Sequence, residues 1–206
     1  MKKTMSVILL AGALAACNAP SSQIKDLRDK SFSELFTQVD PAAATGNVFK
    51  LVGQDFSVIT AGTELNYNSM TASWGGWGIL FNEPATWCIL RANRYTLEYI
   101  RRENLYTMCY FDTAYKDQVM LFGSASGRDS DKMKQHTLTP VETPEGSIAY
   151  KEAKLIVECE LLEITTVQPG DFYTADARTF ITDAYAEAHD YHKLVFGKIT
   201  GMWVKK

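Results

Sequence analysis

The chain has 206 residues, which is enough for one domain and little more. Hydrophobic residues make up 46% of it and aromatic residues 12%, so it can bury a substantial core and is not a disordered chain. The formal net charge of −3 argues against binding nucleic acid through bulk electrostatics.

The first 16 residues have the pattern of a secretory signal. Lys2 and Lys3 give a positive start, and the apolar run Met5–Ala16 is too short to span a bilayer. The run ends in Leu-Ala-Ala-Cys at 14–17, which resembles the lipobox of bacterial lipoproteins. That resemblance implies that Cys17 is lipidated and anchors the chain to a membrane of the bacterial cell envelope, outside the cytoplasm. The alternative is an ordinary signal peptide followed by an incidental cysteine.

We divide the chain into a signal peptide (1–16), a tether with an N-terminal helix (17–45) and a folded domain (46–206). Within the second part, Ile24 to Val39 spaces its apolar residues as an amphipathic helix does. The cysteines after position 17 number three, so they cannot all pair, and they lack the spacing of metal ligands. We interpret them as small buried hydrophobic residues.

Short strand patterns separated by turn residues dominate the folded domain. They are predicted at Val48–Val52, Phe56–Ala61, Tyr67–Trp74, Gly78–Phe81, Thr86–Leu90, Leu105–Phe111, Ala153–Thr166 and Lys193–Val204. Helices are predicted from Thr96, as N-cap, to about Asn104, and then at Asp117–Phe122 and Asp176–Ala188. Gly123–Lys132 is read as a loop leading into a further helical turn, and Thr137–Gly146 as a proline-containing loop. This pattern indicates a mainly β fold with peripheral helices, namely a closed or nearly closed antiparallel barrel.

Several kinds of catalytic chemistry have no support in the sequence. It has no glycine-flanked nucleophilic serine, no phosphate-binding P-loop and no dinucleotide-binding glycine motif. His189 and His192 have a spacing that could chelate a metal, but no third ligand is indicated nearby, so we predict no metal site. Any reaction is therefore expected to occur on a bound cofactor.

Three segments do indicate a binding site. The stretch Asn68–Trp87 alternates small or hydroxylated residues with large apolar ones and holds three of the four tryptophans. Arg91 and Arg94 directly precede a predicted helix N-terminus, where guanidinium groups and free amides bind anions. The loop Ser124–Lys132 adds further donors. We predict an anionic ligand with a flat, polar-edged part, although each arginine taken alone could be a solvated surface charge.

In order and spacing, these segments resemble the flavin reductase-like, FMN-binding split-barrel family in its flavoredoxin-type branch. The resemblance is carried by Asn-Ser-Met-Thr-Ala-Ser-Trp-Gly at 68–75, Pro84, Arg-Ala-Asn-Arg-Tyr-Thr at 91–96 and Phe-Gly-Ser-Ala-Ser-Gly-Arg-Asp-Ser-Asp-Lys at 122–132. It implies a six-stranded antiparallel Greek-key barrel that forms a homodimer with FMN near the interface. Hydride or electrons would pass through FMN from NAD(P)H or another reduced donor.

The resemblance also assigns cofactor contacts. The residues implied along the flavin are Asn68, Met70, Thr71, Ala72, Ser73 and Trp74. Those implied at the phosphate are Arg91, Arg94, Tyr95 and Thr96. The closing loop would contribute Ser126, Gly127, Arg128 and Asp129, and the last strand would contribute His192. Two alternatives stay open. One is an FMN-binding electron carrier that docks to a membrane partner without turnover, and the other is a barrel lipoprotein for another ligand such as haem or a lipid.

Overall fold

The computed structural model describes residues 27–44, 46–130, 132–185 and 190–206. The predicted signal peptide, Cys17 and His189 lie outside the described residues.

A large antiparallel sheet dominates the fold. Its strands are β1 (Phe36–Gln38), β2 (Ser57–Thr63), β3 (Asn66–Ala72), β4 (Gly75–Leu80), β5 (Glu83–Arg91), β6 (Leu105–Tyr110), β9 (Leu155–Thr166) and β10 (His192–Lys205), while β7 (Pro140–Glu142) and β8 (Ile148–Tyr150) form a separate pair. The order is β3-β2-β6-β9-β10-β5-β4, with β1 beside β10, so the sheet does not close. The prediction of a mainly β fold is confirmed, with eight strands in the sheet where the resemblance implies six.

Helices lie around the sheet. They are α1 (Phe32–Leu35), α2 (Val48–Lys50), which runs into a π-helical turn (Leu51–Asp55), α3 (Tyr95–Glu103), α4 (Lys116–Ser124), α5 (Lys132–Gln135) and α6 (Ala175–Ala184). Short 3₁₀ turns occupy Pro41–Ala43, Thr113–Tyr115 and Pro169–Asp171. In the part of the chain that the structure describes, no helix has the length and apolar character needed to cross a membrane.

Helix α3 positions the site and follows its sequence pattern closely. Leu97 and Ile100, three residues apart, are buried in the main hydrophobic cluster together with Ile59 of β2 and Met108 of β6. The helix ends at Asn104, which adopts the left-handed conformation (φ 60°), as expected for a residue that terminates a helix. All three cysteines of the domain are buried, as predicted, and none of them forms a disulfide.

The N-terminal part of the domain differs from two predictions. The helix expected over Ile24–Val39 is limited among its described residues to short turns, because Phe36–Gln38 pairs with the end of β10 instead. The strand expected at Val48–Val52 is wrong, since this segment is helical. The Asn47 side chain accepts a hydrogen bond from the Lys50 amide at 3.1 Å and starts the turn, which outweighs the β propensity of the valines.

Later in the chain, three expectations are revised. The loop predicted over Thr137–Gly146 contains β7, which pairs with β8. The helix predicted over Asp176–Ala188 ends at Ala184 within the described residues. The closing segment, expected from Gly197 and Gly201 to be a final strand or a strand pair, is one long strand, β10, and its irregularities against β9 fall next to these two glycines.

The two ends of the described chain meet. Phe36 pairs with Lys205, and the Lys206 amide donates to the Leu35 carbonyl at 3.0 Å. The buried Lys151 ammonium donates to the carbonyls of Arg28 and Lys30 at 2.7 and 2.6 Å. These bonds fix the N-terminal segment to the barrel.

Candidate functional site

A cavity of about 250 Å³ forms where β3, the N-terminus of α3 and the loop after α4 meet. It is lined by Asn68, Met70, Thr71, Asn93, Arg94, Tyr95, Thr96, Phe122, Gly123, Ala125, Ser126, Gly127, Arg128, Asp129 and Lys132. The fold therefore brings together residues from the three segments that the sequence indicated separately.

The first turn of α3 faces this cavity without a side-chain cap. Arg94 is the N-cap residue, so the prediction of Thr96 in that role is wrong. The Thr96 hydroxyl instead accepts a hydrogen bond from the Asn68 amide at 2.6 Å, which leaves its own hydrogen available to donate. Backbone N–H groups in a first helical turn have no partner within the helix and carry partial positive charge. The arrangement favours an anion.

The loop after α4 closes over Asn68. The Ser126 carbonyl accepts hydrogen bonds from the amides of Asp129 and Ser130 at 3.2 and 3.1 Å, which folds the loop into a tight turn. A Cβ at Gly127 would lie 2.1 Å from the Asn68 side-chain oxygen, a distance that atoms cannot share. Glycine is therefore required here by the close approach of the loop to the buried Asn68.

Arg128 fastens the loop to α3. Its guanidinium donates to the Asn93 carbonyl at 2.7 Å, pairs with Glu98, and lies 4.8 Å from the centre of the Tyr95 ring. Because these contacts hold the side chain and Glu98 offsets its charge, Arg128 acts mainly as a clamp. Asp129 lines the same cavity and is exposed.

Lys132 ends the donor loop Ser124–Lys132, but the resemblance assigned it no cofactor contact of its own. Its ammonium is buried and donates to the carbonyls of Phe122 and Ala125 at 3.0 and 2.8 Å. Burial, and then the nearby Arg94 charge, lower its pKa to about 8. Its place at the end of the Ser-Gly-Arg-Asp loop was the available signal. The lining contains three cationic side chains against the single carboxylate of Asp129.

Only some of the cofactor contacts predicted on and directly after β3 line the cavity. Met70 and Thr71 line the cavity, and the Thr71 hydroxyl donates to the Val119 carbonyl of α4. Ala72 is buried at the end of β3, and Ser73 lies in the short connection to β4; neither lines the cavity.

Trp74 belongs to a second, aromatic group. Its ring lies 5.0 Å from His192 and 6.3 Å from Phe180, and it is 45% exposed. Nδ1 of His192 shares a hydrogen bond with the Tyr185 hydroxyl. Burial, and then the Arg91 charge, lower the pKa of His192 to about 4, so the imidazole is neutral near pH 7.

Arg91 lies with this aromatic group and outside the cavity. Its guanidinium pairs with Asp190 at 3.0 Å, donates to the Ala184 carbonyl at 3.3 Å and lies over the Tyr185 ring. These contacts connect the end of β5 to Ala184 and Tyr185 at the end of α6 and to Asp190 before β10. Arg91 does not line the cavity, and Asp190 and Ala184 accept hydrogen bonds from its guanidinium; its implied contact with the phosphate stays a prediction.

Arg94 connects the two groups. Its charge lowers the pKa of Lys132 in the cavity and also that of His192 beside Trp74. Its side chain is exposed, and across the described ranges no hydrogen bond or ion pair holds its guanidinium. A ligand anion can therefore recruit it.

The described residues contain no group of three or more histidine, cysteine, aspartate or glutamate side chains that could hold a metal ion.

The open antiparallel sheet and its peripheral helices define a split-barrel domain, with a cationic cavity at a helix N-terminus. Residues 49–206 match the model of the family described as "Flavin reductase like domain". The chain belongs to this family, which confirms the family predicted from the sequence.

Solved structures with the same fold come from several organisms. An FMN-binding protein from Thermus thermophilus with bound 1-cyclohex-2-enone is 21% identical, with 78% of each chain covered and a TM-score of 0.57. An FMN-binding domain of a flavin reductases-like enzyme from Shewanella baltica OS155 is 16% identical, covering 82% of this chain and 76% of its own, with a TM-score of 0.58. Flavoredoxin of Desulfovibrio vulgaris (Miyazaki F) is 17% identical, covering 81% and 76%, with a TM-score of 0.56. Comparison with curated proteins finds no match.

Proposed function

We propose that this protein is an FMN-binding flavoprotein of the flavin reductase type. The observation that carries the proposal is the convergence of Asn68–Thr71, Arg94–Thr96 and Ser126–Asp129 on one cationic cavity. Family membership and the FMN-binding proteins of the same fold support it.

The residues present fit FMN in two parts. A volume of about 250 Å³ is smaller than that of a site for a whole ligand, so the cavity takes the phosphate and sugar-alcohol end. There, Arg94, the Thr96 hydroxyl and the first-turn amides of α3 are the donors for a dianion. Trp74 and His192 offer flat, partly apolar cover for the ring system, next to Arg94.

When bound, FMN supplies the capacity to accept and release hydride or single electrons. The protein needs no acid or base of its own for that chemistry, and its residues bind, orient and shield. His192 is neutral at physiological pH and is fixed through Nδ1 by Tyr185, so it adds no positive charge beside the ring. The hydroxyl of Thr71 is committed to the Val119 carbonyl, which joins β3 to α4 at the cavity floor.

Titration of the purified protein with FMN and with riboflavin, followed by flavin fluorescence, tests the site. We expect Arg94→Gln to weaken FMN at least tenfold, because a hydrogen bond to a charged group contributes about 1.5–3 kcal/mol. Riboflavin, which lacks the phosphate, should bind both forms equally. Arg101→Gln, at the exposed far end of α3, is the matched control. Equal FMN affinity in Arg94→Gln and Arg101→Gln contradicts the phosphate assignment.

The electron donor is a nicotinamide cofactor or another reduced carrier. Outside the cytoplasm NAD(P)H is scarce, which favours the second candidate function, an FMN-binding electron carrier that docks to a membrane partner. Anaerobic mixing of the FMN-loaded protein with NADH and NADPH separates the two. Rapid bleaching of the flavin absorbance by NADH or NADPH supports a reductase. A flavin spectrum that these donors leave unchanged, but that a reduced low-potential dye bleaches, supports a carrier.

Two further parts of the proposal concern assembly and location. The protein forms a homodimer that covers the exposed aromatic side chains beside the site, Trp74 and Phe180. Light scattering of Phe180→Asp should then give half the mass of the wild type. The protein is anchored through Cys17 to the bacterial cell envelope, so Cys17→Ser should move it from the membrane fraction to the soluble fraction.

A further inference from the structure

A second cavity, of about 750 Å³, lies beneath the segment that connects β1 to β2. Its walls include Val39, Leu51, Trp77, Ile199 and Met202, and it shares no lining residue with the cavity at α3. A mostly apolar pocket of this volume, here partly open to solvent, is in the range of sites that hold whole small ligands. Nothing in the FMN proposal uses it.

One part of this cavity is charged. The Asp55 carboxylate accepts hydrogen bonds from Lys50 at 2.5 Å and from Lys154 at 2.8 Å, and all three side chains line the cavity. Lys50 and Asp55 are five residues apart, and the π-helical turn at 51–55 follows the i to i+5 repeat that brings such residues to one side. The local backbone therefore builds the charged group at the edge of an apolar space.

At hydrogen-bond distance, the charged group has two ammonium groups and one carboxylate. The Asp55 side chain is 8% exposed and accepts from both lysines, whereas Lys50 is 53% exposed. Each ammonium has three N–H groups, so one bond to Asp55 leaves capacity for another acceptor. Asp112 lies 4.0 Å from Lys154 but is 73% exposed, so solvent screens it. Two cations against one buried carboxylate favour an added anion.

We propose that this cavity binds a single-chain aliphatic carboxylate. The alkyl chain would occupy the space between Leu51, Trp77 and Met202, and the carboxylate would join Lys50 and Lys154. Apolar walls exclude a small inorganic anion as the preferred ligand, and the excess positive charge disfavours an alkyl cation. This inference is independent of FMN binding.

Isothermal titration of the full-length protein with octanoate, decanoate and decylammonium, each below its micelle concentration, tests the proposal. Each added methylene that is buried should tighten binding about fourfold, so decanoate should bind roughly fifteenfold more tightly than octanoate. Decylammonium, with the same chain length and opposite charge, should bind at least tenfold more weakly than decanoate. Equal binding of decanoate and decylammonium overturns the proposal.

Variants separate the head-group contact from general apolar binding. Lys50→Met keeps the Lys154–Asp55 pair and should weaken decanoate about tenfold, whereas Lys116→Met, an exposed lysine of α4 outside the cavity, should leave it unchanged. Ile79→Asp, which places a carboxylate at a lining residue that is 72% exposed, should also weaken decanoate binding without disturbing the core. Sedimentation velocity of the same proteins tests whether a second copy of the chain occupies the cavity instead. Self-association that Ile79→Asp reverses, with no decanoate binding to the wild type, assigns the cavity to a second copy and refutes the carboxylate.

Discussion

Replacing Gly127 by alanine should damage both the fold and the FMN site. The new methyl group would be built 2.1 Å from the Asn68 side-chain oxygen and 3.4 Å from the Tyr95 ring. Asn68 is only 2% exposed and donates to Thr96 at 2.6 Å, so it cannot turn away without breaking a buried hydrogen bond. The added methyl group must therefore either displace the loop or break the hydrogen bond between Asn68 and Thr96.

The magnitude follows from those two routes. Overpacking a tight contact or leaving a buried polar group without its partner costs about 1–3 kcal/mol. For a domain of this length, a loss of about 2 kcal/mol lowers the melting temperature by roughly 4–8 °C. FMN affinity should fall as well, because the Asn68–Thr96 bond orients the hydroxyl at the phosphate position. Calorimetric melting of the apoprotein and FMN titration measure the two effects separately.

Gly53→Ala is the matched control. A Cβ at Gly53 meets no atom within 4 Å, and the residue is in a helical turn where alanine is favoured by up to about 1 kcal/mol. A double-mutant cycle sharpens the test, since Asn68→Ala removes the clashing oxygen and Gly127→Ala should then cost much less. The steric reasoning is refuted if Gly127→Ala has the same melting temperature as Gly53→Ala. It is also refuted if Gly127→Ala lowers the free energy of unfolding as much in the Asn68→Ala background as in the wild type.

Three further predictions concern charge and packing. FMN affinity should decline as pH rises through about 8, because the Lys132 ammonium loses its charge there, and Lys132→Met should bind more weakly with a flat profile over that range. Burial opposes ionisation of Asp55, but hydrogen bonds from Lys154 and Lys50 outweigh this effect and lower the pKa of its carboxyl. The resulting stability is present above about pH 4 and is lost in acid. Melting temperatures measured against pH should therefore lack this contribution in Asp55→Asn. Gly197→Ala would place a methyl group 2.3 Å from the buried Tyr106 hydroxyl and should cost about 1–3 kcal/mol in urea unfolding; a stability equal to wild type contradicts this packing.

Much of the site could be predicted because its chemistry is local in sequence. Asn68 to Thr71, Arg94 to Thr96 and Ser126 to Asp129 are short runs with dense polar and glycine content, and the fold brings all three to one cavity. The role of Lys132 could not be read in this way, since its lowered pKa depends on its burial and on the nearby Arg94 charge. Tertiary packing alone determines such an effect.

Arg91 shows the opposite case. It is three residues from Arg94 and looks equivalent in sequence, yet β5 pairs it with His192 and places it against Asp190, which is 99 residues away along the chain. No local pattern reveals that partner. The strand expected at Val48–Val52 failed for a related reason, because the Asn47 side chain accepts a hydrogen bond from the Lys50 amide and starts a helical turn in a segment whose composition favours extended structure.

The pairing of Phe36 with Lys205 has a practical consequence for how the protein can be handled. Both ends leave the domain from the same corner, so a C-terminal fusion emerges beside the segment that leads to the proposed anchor. At a membrane, a bulky C-terminal reporter would compete with the lipid surface for space. A short linker joining position 206 to the described N-terminal segment would instead permit a circular permutation. New termini at the exposed β2–β3 turn, around Leu65, would then carry the reporter away from that corner.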